Sequence, residues 1–443
     1  MQQDVEYDEF CDPARPRTVF CDDILAAAKR IAGYVRYTPC TKANMSKELK
    51  MDLYLKQECT QHTGSFKERG VVNTLLSMSD EQKKIGVLAA STGNHAQAVS
   101  YHSTLLGIPS IVVMPITAPL TKLNRCQKFG AKTILNGNSI AEAKRHACIL
   151  RQDNKMMYLN GYDHPNVIEG QGTVGLEMLE QVPDVDAILV PCGGGSLLAG
   201  ICVAVKHLKP DTQIYGIESN KTSSMIEALK KNDRVYVNLE TSIADGLSVN
   251  MVGVNSFHNV KDKVDKMIVV KEDWVARAVM HVVEKERFII EGAAATGIAA
   301  LMAGLFPELE GKKVVCVLSG GNIDTTTLTR CLERGMAVEG RLVKFKVTVT
   351  DRPGGMAEFC RMMGKIGVTI KDCIPERAWV KGDIFSCELK VIAETKGWDH
   401  TNQMIEHIKR HYTEYFFPEF GERREKRRAK GSCLARNPRC MEK

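Results

Sequence analysis

The chain has 443 residues, 44% of them apolar and 26% charged, which allows two or three domains with a large buried core and is ordinary for a globular protein. The formal charge of +7 is uneven: residues 421–443 hold nine Lys/Arg against three Asp/Glu, a net +6, so the rest is near neutral and lacks the basic footprint of a nucleic-acid-binding body. Fifteen scattered cysteines without zinc-ligand spacing, no basic-then-apolar leader, and a longest apolar stretch (Ala293 to Phe306) too short for a bilayer predict a soluble, cytoplasmic chain with reduced thiols and no membrane partner.

Residues 1–21 read as an irregular arm. From about Asp22, short apolar runs alternate with helical patterns. Ile85–Ala90 reads as a strand, Ala96–Leu106 as a helix and Pro109–Met114 as a strand. Pro119–Phe129 is a predicted helix with Pro119 near its start and Gly130 past its end. Ala131–Leu135 is a strand, and Ser139 with Glu142 caps the next helix. Met156–Leu159, Ala187–Val190, Gln213–Ile217, Met267–Val270 and Val314–Leu318 read as further buried strands. Continuous apolar strands between helices predict an α/β fold of doubly wound parallel sheets, covered on both faces. The smaller lobe is placed at roughly 75–165 and the whole catalytic domain at 22–340.

The pattern changes after about Gly340. Leu342–Thr350 alternates apolar and polar residues, Met356–Met363 is helical, Val368–Ile374 and Phe385–Ile392 are strands, and Asn402–Tyr412 is a helix. The order β-α-β-β-α predicts a small ferredoxin-like α+β domain over 341–415. Residues 416–443, with Glu422-Arg423-Arg424-Glu425-Lys426-Arg427-Arg428, read as a basic, disordered tail.

Lys67, in Ser65-Phe66-Lys67-Glu68-Arg69-Gly70, is the leading candidate for chemistry. Ser65 and Glu68 have capping-box spacing, so a helix starts here, with Val71, Val72, Leu75 and Leu76 apolar at helical spacing and setting its exposed face. Lys67 then sits in the first turn, where the helix dipole favours a neutral amine, the form that makes a Schiff base with an aldehyde. Taken alone, the segment reads first as a surface lysine on an ordinary helix, since a short motif is weak evidence, and the glycine-rich segments downstream change that reading.

Three glycine-bearing segments follow predicted strands: Ser91-Thr92-Gly93-Asn94-His95, Cys192-Gly193-Gly194-Gly195-Ser196-Leu197 and Ser319-Gly320-Gly321-Asn322. Consecutive glycines let backbone N–H groups converge on an anion, and the second segment opens a helix, as a phosphate cradle does. The other reading of that segment is a tight strand–helix turn. The Gly-x-Gly-x-x-Gly spacing of a dinucleotide fingerprint is absent.

Ser65–Gly70, Ser91–Gln97, Gly170-Gln171-Gly172-Thr173, Gly193–Leu197, Ala244-Asp245-Gly246 and Ser319–Asn322 occur in this order. In them the chain resembles the pyridoxal-phosphate lyases of the tryptophan synthase β fold, and among these the threonine/serine dehydratases (threonine ammonia-lyases) with a C-terminal ACT domain. The resemblance spans roughly 22–340. It implies deamination of L-threonine and L-serine by β-elimination, with pyridoxal 5'-phosphate as cofactor. It implies that Lys67 holds the cofactor covalently and shuttles the substrate α-proton, that Phe66 packs on the ring, and that Gly193, Gly194, Gly195, Ser196 and Leu197 donate to the phosphate. Asn94 would bond the ring hydroxyl, Ser319 would face the ring nitrogen, Gly246 would sit against the cofactor, and Ser91, Asn94 and His95 would grip the substrate carboxylate. Thr350-Asp351-Arg352-Pro353-Gly354-Gly355 resembles an ACT module. That implies an amino-acid effector and a homodimer or homotetramer, although a purely structural dimerisation domain has the same pattern.

Two positions depart from the dehydratases. Thr92 stands where they carry a small apolar residue and where serine racemases of the same fold carry a catalytic serine, so a racemase with side dehydration is the alternative function. Glu218 matches a metal-binding glutamate of those racemases, but Ser224 replaces their aspartate six residues on, and no metal is expected. His407 and His411 are expected on an exposed helix face rather than on a metal.

Overall fold

The computed structural model describes residues 6–380 and 383–418. The chain divides into two compact units between Leu332 and Glu333.

In the first unit the apolar runs form two sheets. The four-stranded sheet orders Lys132–Leu135, Ser110–Met114, Val87–Ala90 and Met157–Tyr158, all parallel. The six-stranded sheet orders Cys40–Lys42, Asp52–Lys56, Lys313–Val317, Ala187–Pro191, Gln213–Ser219 and Lys266–Val270. Only its first pair is antiparallel. Its central strand Ala187–Pro191 is buried throughout, as a parallel strand covered on both faces must be. The two strands at 40–56 are additions to the sequence reading.

The expected local signals are in place at several helices. Pro119 is the cap of helix Leu120–Lys128, and Gly130 follows it at φ +93°. The Ser139 side chain accepts from Glu142 N at the start of Ile140–Asn154.

The helix that carries Lys67 runs Lys67–Ser77, but its capping box does not form. Phe66 takes the cap position with no side-chain bond, and the Ser65 hydroxyl is buried without a partner. Ser65 instead forms a β-bridge with Gly320, which holds it extended against the other segment. Glu68 turns to the Thr63 backbone N–H and to His62 and His102. Nor does the helix have the exposed apolar-bounded face expected of it, because Glu68 through Leu75 are all buried.

Burying that helix takes Arg69 out of water. Its guanidinium donates to Glu58 at 2.8 and 2.7 Å and to Glu177 at 2.6 and 2.9 Å. Glu177 also accepts from the buried Lys56 ammonium at 2.5 Å. Burial would raise the Glu58 carboxyl, yet Arg69, Lys56 and the Thr38 hydroxyl hold it below its ordinary value. Two cations and two anions close on one another, which is how charges persist in a core.

The second unit is a four-stranded antiparallel sheet ordered Thr369–Glu376, Ser386–Glu394, Leu342–Thr350 and Tyr415–Phe416. Helices Gly355–Lys365 and Trp398–His411 supply Phe359, Met363, Met404 and Ile408 to the core formed with Phe345, Val347, Leu389 and Val391. The order β-α-β-β-α-β is compatible with the expected ferredoxin-like domain. Residues 419–443, most of the expected basic tail, lie outside the described residues, as do 1–5.

Arg69→Ala strips Glu58 and Glu177 of their shared donor. The expected loss is about 3–5 kcal/mol of unfolding free energy, read as a fall in the urea midpoint. An unchanged midpoint would show that the network adds nothing to stability.

Candidate active site

Phe66 N donates to Ser319 O at 3.1 Å, Gly321 N to Gly64 O at 2.9 Å, and Asn322 Nδ2 to Thr63 O at 2.7 Å. These bonds set the first turn of helix Lys67–Ser77 beside the carboxyl end of strand Lys313–Val317. Lys67 Nζ then reaches across to Gly161 O at 2.6 Å. The amine lines a cavity of 370 Å³. Burial lowers its pKa to about 8, and the carboxylate of Glu291 opposes that shift. The neutral amine expected from the helix dipole is thus favoured first by desolvation.

The opposite wall is the loop Gly193-Gly194-Gly195 and the start of helix Ser196–Leu208. A Cβ on Gly194 would lie 2.4 Å from the Tyr162 ring, and Gly195 has φ +104°. Bare backbone is therefore required here. The helix has no side-chain cap, so its first N–H groups are left for a ligand. A phosphate fits this cradle, and the Lys67 amine in the same cavity fits an aldehyde. The residues present fit pyridoxal phosphate.

Of the residues named from sequence, the cavity gathers Phe66, Lys67, Thr92, Asn94, Gly193, Gly194, Gly195, Ser196, Leu197, Gly246 and Ser319. Ser91 and His95, also named for the loop that grips the substrate carboxylate, lie outside the cavity lining, and their side chains bond to backbone. Ser91 Oγ accepts from Gly93 N at 3.2 Å and closes its own turn. The buried ring of His95 bonds Leu159 O through Nε2 at 2.9 Å, and burial, then Lys67, lowers its pKa to about 3. Packing the ring against Gly161 makes His95 a support for the segment that receives Lys67. Glu218 accepts from Met225 N at 2.8 Å and Ile226 N at 2.9 Å, and so caps helix Ser224–Lys231. His407 and His411 lie on the last helix of the second unit, with His411 Nδ1 2.8 Å from His407 O in an exposed contact.

The cavity also holds Glu291, Lys122, Tyr162 and Asn322, which the sequence reading did not select. Glu291 is buried and receives Asn94 Nδ2 at 2.7 Å. Burial, then Asp245, pushes its carboxyl up to about 7. Its only signal in the sequence is an acid set between Ile289-Ile290 and Gly292-Ala293, where a charge needs a partner or a task.

Comparison with known proteins agrees with this geometry. The chain is 37% identical over 386 residues to an L-threonine ammonia-lyase of Geobacter sulfurreducens, covering 87% of this chain and 96% of that one. Among solved structures it is similar to threonine deaminase isoform 2 of Solanum lycopersicum, with TM-score 0.68 and 32% identity over 72% of this chain and 95% of that one. It is similar as well to maize serine racemase, with TM-score 0.68 and 31% identity over 73% of this chain and 100% of that one. Residues 31–320 match the family described as pyridoxal-phosphate dependent enzyme. That span takes in every named wall of the cavity except Asn322; the chain belongs to the pyridoxal-phosphate dependent enzymes, and pyridoxal phosphate is its cofactor.

Proposed function

We propose that the protein deaminates L-threonine, and L-serine with it, to 2-oxobutanoate or pyruvate and ammonia. The observation that carries this reading is the Lys67 amine, poised near neutrality, in one cavity with an uncapped glycine cradle. Relatives named threonine ammonia-lyase and threonine deaminase support the substrate.

Bound pyridoxal phosphate supplies the electron sink that makes the α-proton of an amino acid removable. In this reading the N–H groups of Gly193–Leu197 would hold its phosphate, Phe66 would pack on the ring, Asn94 would bond the ring hydroxyl and Gly246 would lie against it. Ser319 would face the ring nitrogen as a neutral partner. A carboxylate there would keep the nitrogen protonated, so a serine makes a weaker sink. A negative charge at the α-carbon is then relieved best by prompt loss of the β-hydroxyl. Lys67 Nζ would hold the cofactor at rest and take the α-proton in turnover. That proton and the β-hydroxyl would leave together as water, and a second water would convert the freed enamine to the 2-oxo acid and ammonia. The substrate carboxylate meets the backbone of the Ser91–His95 loop at the start of helix Asn94–Leu105. Ser91 and His95 serve by holding that loop and its neighbour in place.

Regulation by amino acids at the ACT-like second unit, assembly as a homodimer or homotetramer, and a cytoplasmic location belong to the same proposal. A cavity of 830 Å³ in that unit supports it, since Glu358, Arg361, Lys365 and Asp383 give it charges of both signs for a zwitterion.

A second reading is serine racemisation with side dehydration. Thr92 lines the cavity with Lys67, and its hydroxyl is suited to deliver a proton to the other face of the α-carbon.

Purified protein given L-threonine should form 2-oxobutanoate at a rate that responds to other amino acids. Lys67→Ala should lower that rate by about 10²–10⁴-fold or more, and no keto acid from the cofactor-loaded parent would end the reading. Thr92→Ala should keep elimination within a fewfold; if D-amino acid accumulates in the parent during partial turnover and vanishes in this variant, racemisation is established. A base must be neutral to act, so kcat should climb about tenfold per pH unit below the lysine's pKa of about 8 and level off above it. A flat profile from weakly acidic to alkaline pH would remove Lys67 as the base.

A further inference from the structure

Glu291 takes no part in the mechanism above, yet it is the buried acid nearest to its chemistry. It precedes helix Gly292–Met302 and faces the cavity. A hydrogen-bonded chain leads from it to the surface. Asn94 Nδ2 donates to Glu291 at 2.7 Å, Asn322 Nδ2 to Asn94 Oδ1 at 2.8 Å, and Arg125 Nη1 to Asn322 Oδ1 at 2.7 Å. The chain has a direction. A guanidinium only donates, so Arg125 claims the oxygen end of Asn322. The amide nitrogen of Asn322 is then turned to the oxygen of Asn94, and the nitrogen of Asn94 to Glu291. Thr63 O fixes the same Asn322 nitrogen at 2.7 Å, and Gln97 Oε1 holds Arg125 at 3.2 Å.

Lys122 lies one turn before Arg125 on helix Leu120–Lys128 and pairs with Asp245 at 2.9 Å. This helix joins two strands of the four-stranded sheet, whereas Asp245, Glu291 and Asn322 belong to segments between strands of the six-stranded sheet or after its last. Both contacts therefore cross the cleft. The charged and titratable groups that act on Glu291 are Lys67, Asp245 and Lys122, and Cys59 feels its charge. Burial and Asp245 favour the protonated acid; the Asn94 bond, Lys122 and Lys67 favour the carboxylate.

We propose that Arg125 is a positioning residue that acts on Glu291 through Asn322 and Asn94, and that Lys122 acts on the same carboxyl by pairing Asp245, so that one helix of the smaller lobe sets the charge of the buried acid beside Lys67. Docking of that helix turns the amide chain toward a carboxylate and offsets the anion that disfavours one. Whenever the Lys67 amine is free of the cofactor, an ionised Glu291 in turn favours its ammonium form. Contact between the lobes thereby governs where the proton of this pair resides.

The test is a pH titration of the carboxylic-acid infrared band in the full-length holoenzyme without substrate. Around neutrality exposed carboxyls are all ionised, and the difference between parent and Glu291→Gln isolates this group. It reads ionisation rather than turnover, so it stands apart from the threonine assay. Arg125→Ala, at an exposed position, should raise the midpoint by about one pH unit, a tenfold change in proton affinity. Lys122→Ala should raise it likewise, and Asp245→Asn should lower it. A midpoint unmoved or lowered in Arg125→Ala overturns the positioning role of Arg125, and one unmoved in Lys122→Ala overturns the electrostatic half. A structural role alone would alter stability and leave the midpoint in place.

Discussion

The Ser65–Gly320 bridge, with the backbone bonds around it, is the constraint on which the site depends. It ties the chain before Lys67 to the carboxyl end of strand Lys313–Val317, in the middle of the six-stranded sheet. Helix Lys67–Ser77 therefore starts where the sheet's strands end, the position at which ligands of open α/β sheets collect. The same bridge puts Ser319 and Lys67 on one cavity although they are far apart in sequence. Gly64 is needed for the join, because it has φ +78° and a Cβ there would come within 2.7 Å of the Asn322 amide. Asn322 is in turn the middle of the amide chain to Glu291. One tertiary contact thus fixes the Lys67 amine, the Ser319 hydroxyl and the acid's hydrogen-bond supply.

Charges buried near this helix follow two different rules. At Lys56, Glu58, Arg69 and Glu177 each charge has a counter-charge at hydrogen-bond distance, and Arg69 is held still more firmly in its charged form. Glu58 is likewise held in its charged form, and the work of the set is to hold the helix down. Lys67 and Glu291 are left with a peptide carbonyl and an amide as their bonded partners, and they titrate at about 8 and about 7. Arg69 is two residues from Lys67, so the division falls within a single helical turn. Full pairing gives rigidity, and incomplete pairing gives a proton that can move.

The parallel strands were legible in the sequence because a strand covered on both faces must be apolar throughout, as Ala187–Pro191 and Val87–Ala90 are. Asp52–Lys56 escaped notice because it carries charge at both ends, and the reason lies in distant partners: the buried Lys56 ammonium is met by Glu177, Gln181 and Thr38 O. The glycine cradle was legible since its chemistry is local to five consecutive residues. The capping box at Ser65 was misread because a tertiary bridge overrode a local preference. Glu291 and Lys122 were missed for a related reason. Each acquires its role from residues many positions away, and neither stands in a pattern of its own.

Three helices begin at the cavity: Lys67–Ser77, Asn94–Leu105 and Ser196–Leu208. None has a cap side-chain bond on its first turn, so three positive dipole ends lie at a space of 370 Å³. That field repels an ammonium and attracts anions. It adds to desolvation in favouring the neutral form of Lys67, and it suits a ligand that is anionic at two separate places, as a phosphate-bearing cofactor joined to an amino acid is. It also explains why the cavity tolerates Glu291 without a bonded cation, since the dipoles supply part of what a counter-ion would. The acid's environment is then balanced finely enough for Lys122 and Asp245, at the edge of the cleft, to matter to it. A site built from helix ends rather than from charged side chains keeps its electrostatics near the point of balance, where small changes in nearby charge shift protonation most.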